Sequence, residues 1–172
     1  MDYIEFQDRS TPLAYFISFR CYGTWLHGDE RGSVDRKLYN RYGSPKVPPA
    51  NGLVSKEYSE LKHSPIRLDA RMRSEVATAI NEVCNFREYR LIALQVRTNH
   101  GHCVVSADAK PEFVMNSFKS YATRKLVSTG LIAAKTKVWS RHGSTRYLWT
   151  GEQIAAAAEY VVNGQGDELP TL

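Results

Sequence analysis

The chain has 172 residues, of which 42% are hydrophobic and 24% are charged. That length suits one domain with its own core, and the composition excludes a fully disordered protein. No apolar run approaches the roughly 20 residues of a membrane helix, which excludes a transmembrane protein. The N-terminus lacks the layout of a signal peptide, so we expect a cytoplasmic protein. Three widely spaced cysteines indicate buried thiols rather than a disulfide framework.

Charge is distributed unevenly along the chain. The net charge is +5, yet residues 87–146 hold 11 basic and 3 acidic residues, whereas residues 147–172 hold 4 acids and no bases. A basic segment favours an anionic partner such as nucleic acid, although a solvated basic face that binds nothing has the same composition. The charge therefore bears on function only if reactive side chains lie in the same segment.

The first predicted strand covers residues 13–21, where large apolar side chains alternate with smaller or polar ones. From about residue 22 to 66, glycine, proline and scattered charges predict a loop-rich insertion with a short helix at 55–63. Asp69 is positioned to cap an amphipathic helix that ends near Phe86. Two strands follow, at 90–98 and 102–105.

The rest of the chain is predicted to form a second helix, a hairpin and a last helix. Pro111 suits the beginning of a second helix, and Gly143-Ser144 predicts a hairpin between strands at 137–142 and 145–149. Thr150 and Gln153 form a capping box for a last helix. This order predicts an α+β, ferredoxin-like split βαβ sandwich, with an antiparallel sheet and two helices on one face. We expect residues 1–172 to form this single domain.

Two segments carry candidate chemistry. His100 and His102 lie two residues apart on a predicted strand, so both imidazoles point to one side and could bind one metal ion; a pair of hydrogen-bonding surface histidines is the alternative. Tyr121 lies on the following helix among Lys119, Arg124 and other cations, where a phosphate would bind favourably. An amphipathic core tyrosine is the alternative there.

This order of motifs resembles the single-tyrosine HUH transposases, and most closely the REP-associated tyrosine transposases of the IS200-like group. Residues 22–26, 138–150 and 160–166 are also similar to that family. The resemblance implies a metal-dependent endonuclease and strand transferase that acts on single-stranded DNA near hairpins through a 5′-phosphotyrosine intermediate. It implies His100 and His102 as metal ligands, Tyr121 as nucleophile, and Mg²⁺ or Mn²⁺ as cofactor. Two imidazoles suit manganese better than magnesium.

The chain departs from the family pattern at two places. Gly101 replaces a residue that is usually bulky, and we expect it to loosen the strand that carries the histidines. One turn after Tyr121, where the family often has a carboxamide ligand, the chain has Arg124 and Lys125. The third metal ligand is therefore unassigned, and Asn116, Ser117 and water are the candidates.

Six residues are candidates for DNA contact, because cations bind phosphates and aromatic rings stack on unpaired bases. They are Lys119, Arg124, Lys125, Trp139, Arg141 and Arg146. Core packing is the alternative for Trp139, since large aromatic side chains are mostly buried. The alternative function is a catalytically inactive nucleic-acid-binding protein of the same fold. A homodimer in which each chain donates its tyrosine to the active site of the other also remains an alternative.

Overall fold

The computed structural model describes residues 11–26, 48–167 and 169. In chain order these residues form β1 (Ala14–Cys21), α1 (Asn51–Ser59), α2 (Ala70–Phe86), β2 (Arg90–Val96), β3 (His100–Ser106), α3 (Pro111–Ser128), β4 (Trp139–Leu148) and α4 (Gly151–Asn163). Residues 27–47, nearly half of the predicted insertion, lie outside the described residues. Within the described ranges, no helix has the length and apolar character needed to cross a membrane.

The strands form one sheet in the order β2-β3-β1-β4, and every neighbouring pair is antiparallel. This is the strand order of a split βαβ sandwich, which confirms the predicted fold class. Helices α2 and α3 pack together on one face of the sheet, as predicted, while α4 packs on the opposite face. The sheet therefore separates two layers of different composition.

The alternation along β1 explains how the two layers form. Ile17, Phe19 and Cys21 are fully buried against α2 and α3, whereas Ala14 and Phe16 belong to the smaller cluster beneath α4. Successive side chains of a strand point to opposite faces, so one apolar strand can serve both layers. We refer below to the α2/α3 face and the α4 face.

The helix boundaries follow from their caps. The Asp69 carboxylate accepts a hydrogen bond from the Met72 backbone N–H at 2.8 Å, and Thr150 Oγ1 accepts one from Gln153 at 3.2 Å. Both predicted N-caps are thereby confirmed. The short helix of the insertion begins at Asn51 and ends at Ser59, four residues earlier than expected.

The predicted hairpin at Gly143-Ser144 is wrong, because β4 continues without a turn from Trp139 to Leu148. Gly143 lies opposite Phe19 on β1, and a Cβ atom there would overlap the Met115 side chain and the backbone of Ser18. The glycine thus permits close packing within a strand rather than a reversal. The register shifts between Phe19 and Cys21, which leaves a bulge at residues 140–142 of β4.

Candidate active site

The histidine pair lies on the α4 face of β3. Cys103 and Val105 of this strand enter the core beneath α2 and α3, so the alternate residues His100, His102 and Val104 point the other way. The two imidazole rings have centroids 4.7 Å apart. The prediction that both histidines share one side of a central strand is therefore confirmed.

Neighbouring side chains orient both imidazoles through Nδ1. His102 Nδ1 lies 2.6 Å from the Ser18 hydroxyl, and His100 Nδ1 lies 2.6 Å from the Asn99 side-chain oxygen. When Nδ1–H donates to such an oxygen, Nε2 presents its lone pair, as in metal-binding histidines. Burial, followed by the charges of His100 and Arg20, lowers the pKa of His102 to about 4. His102 is thus a neutral imidazole near pH 7.

Tyr160 of α4 packs against His102 of this pair. Its ring centroid lies 5.9 Å from that of His102 and 6.0 Å from that of Phe16, both in edge-on arrangements. The side chain is 49% exposed. A phenol that is anchored along one edge and open to solvent can reach a substrate bound beside the histidines.

Gln165 brings a carboxamide to the same place just beyond the end of α4. Its Nε2 donates to the Tyr160 carbonyl at 3.1 Å, which directs Oε1 toward His100 Nε2 at 3.3 Å. When His100 Nδ1–H donates to Asn99 and Nε2 carries no proton, that contact joins two acceptor atoms, whereas a doubly protonated ring would donate to Gln165 as well. Arg97 donates to the Asp167 carbonyl at 2.9 Å and so holds the segment that carries Gln165.

The donor set fits a divalent cation. When both imidazoles are neutral, their Nε2 atoms and the Gln165 carboxamide oxygen are ligands of the kind that a divalent cation binds. Among the described residues, no group of three His, Cys, Asp or Glu side chains could hold a metal ion. The Gln165 oxygen is the protein atom placed to add a third ligand to the two histidines.

Tyr121 lies on the other side of the sheet. It is half-buried on α3 and packs against the core beneath α2 and α3, with the Arg124 guanidinium 4.7 Å above its ring. The structure does not bring Tyr121 to His100 and His102. The same holds for Asn116 and Ser117, which precede it on α3.

Gly101 fits its strand closely. Its position faces α2 and α3, where a Cβ atom would come within 2.6 Å of the Phe19 ring. The Phe19 side chain occupies the space that a bulky central residue would take, and β3 is paired on both sides along its length. The expected loosening of the strand by Gly101 is not observed.

Two of the six predicted DNA contacts are core residues instead. Trp139 is only 8% exposed, and its indole N–H donates to the Lys119 carbonyl at 3.0 Å. Lys119 is 7% exposed, and its ammonium donates to the carbonyls of Ser140 and His142 at 2.9 and 3.0 Å. These bonds give hydrogen-bond partners to two backbone carbonyls in the β4 bulge. Both side chains are enclosed, which favours the core-packing alternative for Trp139 and a structural role for Lys119.

The other four cationic candidates divide between the faces. Arg124 and Lys125 lie on α3, where Lys125 forms an ion pair with Glu82 at 2.7 Å. Arg141 and Arg146 are exposed on the edge strand β4. Of these, Arg146 shares the α4 face with the histidines, because it lies opposite Phe16 in the sheet register.

Sequence reasoning missed Tyr160, Gln165 and Ser18. One signal could have found the first two, since a carboxamide follows Tyr160 about one turn later, whereas Arg124 and Lys125 follow Tyr121. The family resemblance over residues 160–166 assigns no role to either residue. Ser18 had no sequence signal, because its role depends on the pairing of β1 with β3.

A comparison with protein families shows the family of this chain. The family model described as "Transposase IS200 like" matches residues 61–162, more than half of the chain. No curated protein matches the chain by sequence. Among solved structures, the chain is similar to a REP-associated tyrosine transposase bound to a REP hairpin, with 13% identity and a TM-score of 0.47. That match covers 88% of this chain but only 65% of the other. A candidate transposase from Deinococcus radiodurans R1 matches with 12% identity and a TM-score of 0.45, covering 91% and 93%.

Proposed function

Because the chain belongs to the IS200-like transposase family, we propose that it cleaves and rejoins single-stranded DNA with Tyr160 as the nucleophile. The observation that carries this assignment is the contact of the Tyr160 ring with His102, while Tyr121 packs on the opposite face of the sheet. His100, His102 and Tyr160 belong to the same chain, so the proposal requires no tyrosine from a second copy.

In the proposed reaction the Tyr160 phenol oxygen attacks a backbone phosphorus of the DNA. The bond from phosphorus to the 3′-oxygen breaks, the phenol proton passes to solvent, and the leaving 3′-oxygen takes up a proton. The products are a 5′-phosphotyrosyl ester and a free 3′-hydroxyl. Attack of another 3′-hydroxyl on that ester reverses the chemistry and joins a new pair of ends.

His100, His102 and Gln165 are the residues that would hold the divalent ion, Mg²⁺ or Mn²⁺. A bound ion would supply Lewis-acid catalysis by withdrawing charge from the scissile phosphate. The Ser18 and Asn99 side chains fix the two imidazoles, and the Tyr160 carbonyl fixes the Gln165 amide. The nucleophile and a ligand therefore share one short segment at the end of α4.

The test is a covalent-adduct assay with matched tyrosine variants. Wild type, Tyr160→Phe and Tyr121→Phe are incubated with Mn²⁺ and a labelled library of single-stranded hairpin oligonucleotides, and denaturing gels are searched for a protein–DNA adduct. We expect the adduct with wild type and Tyr121→Phe and its loss with Tyr160→Phe. Circular dichroism verifies that both variants fold.

Two outcomes would contradict the proposal in different ways. An adduct that survives Tyr160→Phe and disappears in Tyr121→Phe would return the nucleophile to α3. No adduct with wild type, together with retained DNA binding, would identify a catalytically inactive nucleic-acid-binding member of the family.

A further inference from the structure

A cavity lies at the end of the sheet where β1 ends and β4 begins. Its volume is about 620 Å³, a size that is typical of sites for small organic ligands. Two segments that are far apart in sequence form its walls, namely residues 58–66, at the end of α1 and after it, and residues 136–137, just before β4. Neither segment takes part in the proposed reaction.

Tyr22, the residue that follows β1, joins the two walls of the cavity. Its backbone N–H donates to the Val138 carbonyl at 2.8 Å, and its carbonyl accepts a hydrogen bond from the Ile66 N–H at 3.0 Å. The Tyr22 hydroxyl accepts a further bond from the Lys62 backbone N–H at 3.2 Å. The Tyr22 side chain is itself buried. Both walls are therefore fixed to the core of the domain.

The polar side chains of the cavity suit an anion. Lys62, His63 and Lys137 are exposed on its walls, and Ser64 adds a hydroxyl group. Among the described residues that line the cavity, none is acidic. The Lys137 ammonium lies 4.5 Å from the centroid of the Tyr22 ring, and the His63 ring packs edge-on against the same ring at 5.9 Å. Ammonium and hydroxyl groups gathered in this way are donors of the kind that bind phosphate.

An aromatic side chain also lines the cavity. Tyr58 belongs to its wall and is nevertheless 59% exposed. An accessible ring beside phosphate-binding cations offers a stacking surface for an unpaired nucleobase. The cavity thus combines cations for a phosphate with an aromatic face for a base, which are the two groups that bind a single-stranded nucleotide.

The cavity lies at the same end of the sheet as the histidine pair. Strands β1 and β3 are antiparallel, so the end of β1 lies beside the beginning of β3. The backbone N–H of Cys21, which precedes Tyr22, donates to the Asn99 carbonyl at 2.8 Å, and the Asn99 side chain contacts His100. A DNA strand held at the candidate active site can therefore continue across this end of the sheet into the cavity.

We propose that this cavity binds one nucleotide of the single DNA strand, away from the phosphate that is cleaved. Lys62 and Lys137 bind the phosphate of that nucleotide, and Tyr58 stacks on its base. The proposal rests on the proposed function, since this strand is its substrate. The three side chains anchor the strand and touch none of the reacting atoms.

The first experiment measures binding without cleavage. The protein carries Tyr160→Phe, EDTA is present, and the anisotropy of a fluorescent oligodeoxythymidine is recorded across a salt series. Each phosphate contact contributes about 0.7 to the slope of log affinity against log salt for a single strand. We expect the double variant Lys62→Gln/Lys137→Gln to reduce the slope by about that amount, because both ammonium groups bind one phosphate.

Matched double variants separate contact from general charge. Arg90→Gln/Lys110→Gln removes two exposed cations at the other end of the sheet, where β2 begins and β3 has ended, and should leave the slope unchanged. Lys62→Arg/Lys137→Arg keeps both charges and should keep the slope. An unchanged slope in Lys62→Gln/Lys137→Gln, or an equal reduction in Arg90→Gln/Lys110→Gln, would overturn the proposal.

Thymidine 5′-monophosphate distinguishes a nucleotide of the strand from a free nucleotide. We expect the oligodeoxythymidine to bind far more tightly than the monophosphate, because the strand has further contacts beside the cavity. Calorimetric titration of the monophosphate into wild type and Lys62→Gln/Lys137→Gln makes the comparison. Loss of monophosphate binding in that variant, with an unchanged oligonucleotide slope, would assign the cavity to a free nucleotide and overturn the role of the strand.

Tyr58 is tested by affinity at constant salt. Tyr58→Leu should weaken oligodeoxythymidine binding by about tenfold and leave the salt slope unchanged, because base stacking releases no counterions. Tyr58→Phe keeps the ring and should bind like wild type. Equal affinities of Tyr58→Leu and Tyr58→Phe would overturn the stacking role.

Kinetics with Tyr160 intact separate anchoring from chemistry. In Lys62→Gln/Lys137→Gln we expect the half-saturating DNA concentration to rise by about tenfold, and the rate of adduct formation at saturating DNA to change less. A fall in the saturated rate at an unchanged half-saturating concentration would overturn the anchoring role. A wild type that forms no adduct contradicts the proposed function, whereas the salt slopes still decide on the cavity.

Discussion

The two faces of the sheet use the same residue types for different purposes. On the α2/α3 face, Trp139 and Lys119 are buried and donate hydrogen bonds to backbone carbonyls. Tyr121 is half-buried, and its ring lies beneath the Arg124 guanidinium. On the α4 face, Tyr160 and Arg146 remain exposed beside a pair of oriented imidazoles. An aromatic or basic residue is therefore informative about function only after its face is known.

The difference follows from how much of each face is covered. Two long helices cover the α2/α3 face, and its layer contains most of the large buried side chains. A single helix covers the α4 face mainly over β2 and β3, and the cluster beneath it is small. Substitutions on the first face should change stability, and substitutions on the second should change DNA chemistry.

The largest effect is expected from Trp139→Ala. The variant removes a buried indole that packs edge-on against Phe19, and we expect it to lower the free energy of unfolding by about 3–5 kcal/mol. Urea denaturation measures the change. Trp139→Phe, which keeps most of the apolar volume, should lose less. A small loss for Trp139→Ala, with weakened DNA binding instead, would restore Trp139 as a base-stacking residue.

His102→Gln should show the opposite behaviour. Loss of a ligand-type imidazole is expected to slow adduct formation by about 100-fold or more, because stabilisation of the phosphate charge is worth several kcal/mol. The free energy of unfolding should change by less than about 1 kcal/mol. His142→Gln, on the exposed edge strand β4, is the matched control. Equal adduct rates for both variants would contradict a role for the histidine pair.

Lys119→Met tests whether a buried cation is structural. The ammonium bonds to two carbonyls of the β4 bulge, so its loss should lower the free energy of unfolding by about 1–3 kcal/mol. The salt dependence of DNA binding should not change, since the ammonium does not reach the surface. Arg141→Met on the exposed edge should leave stability unaltered. A reduced salt slope in Lys119→Met would contradict this division.

The fold could be predicted because its signals are local. Alternation along β1, the Asp69 and Thr150 caps, and the order of elements each depend on a few consecutive residues. The hairpin prediction failed because a glycine can permit either a turn or a close approach of neighbouring atoms. At Gly143 the second applies, and the atoms that show it belong to Met115 and Ser18, which are distant in sequence.

The site was predictable only in part, for a related reason. The same-side orientation of His100 and His102 is a property of one strand and was predicted correctly. The choice between Tyr121 and Tyr160 depends on which face each helix covers, and helix periodicity does not carry that information. Lys119 and Trp139 are similar cases, since a cation and an indole give the same sequence pattern whether they bond to a backbone bulge or to DNA.

The smallest expected effect is a loss of stability at alkaline pH. It arises in the core beneath α2 and α3, which contains all three cysteines. Burial raises the pKa of Cys21 to about 12 from its ordinary 9.0. In the unfolded chain this thiol ionises above about pH 9, while the folded chain keeps its proton. The contribution of Cys21 to the free energy of unfolding is therefore unaffected below about pH 9, and it declines as the pH rises from 9 toward 12.

At pH 10 ionisation of this thiol in the unfolded chain should lower the free energy of unfolding by about 1.4 kcal/mol. Urea titrations under reducing conditions at pH 7 and pH 10 measure it, and Cys21→Ala should show a correspondingly shallower decline. The decline in His102→Gln should match that of wild type, because its site lies across the sheet. Identical declines in wild type and Cys21→Ala would show that the Cys21 thiol does not govern the alkaline stability of this layer.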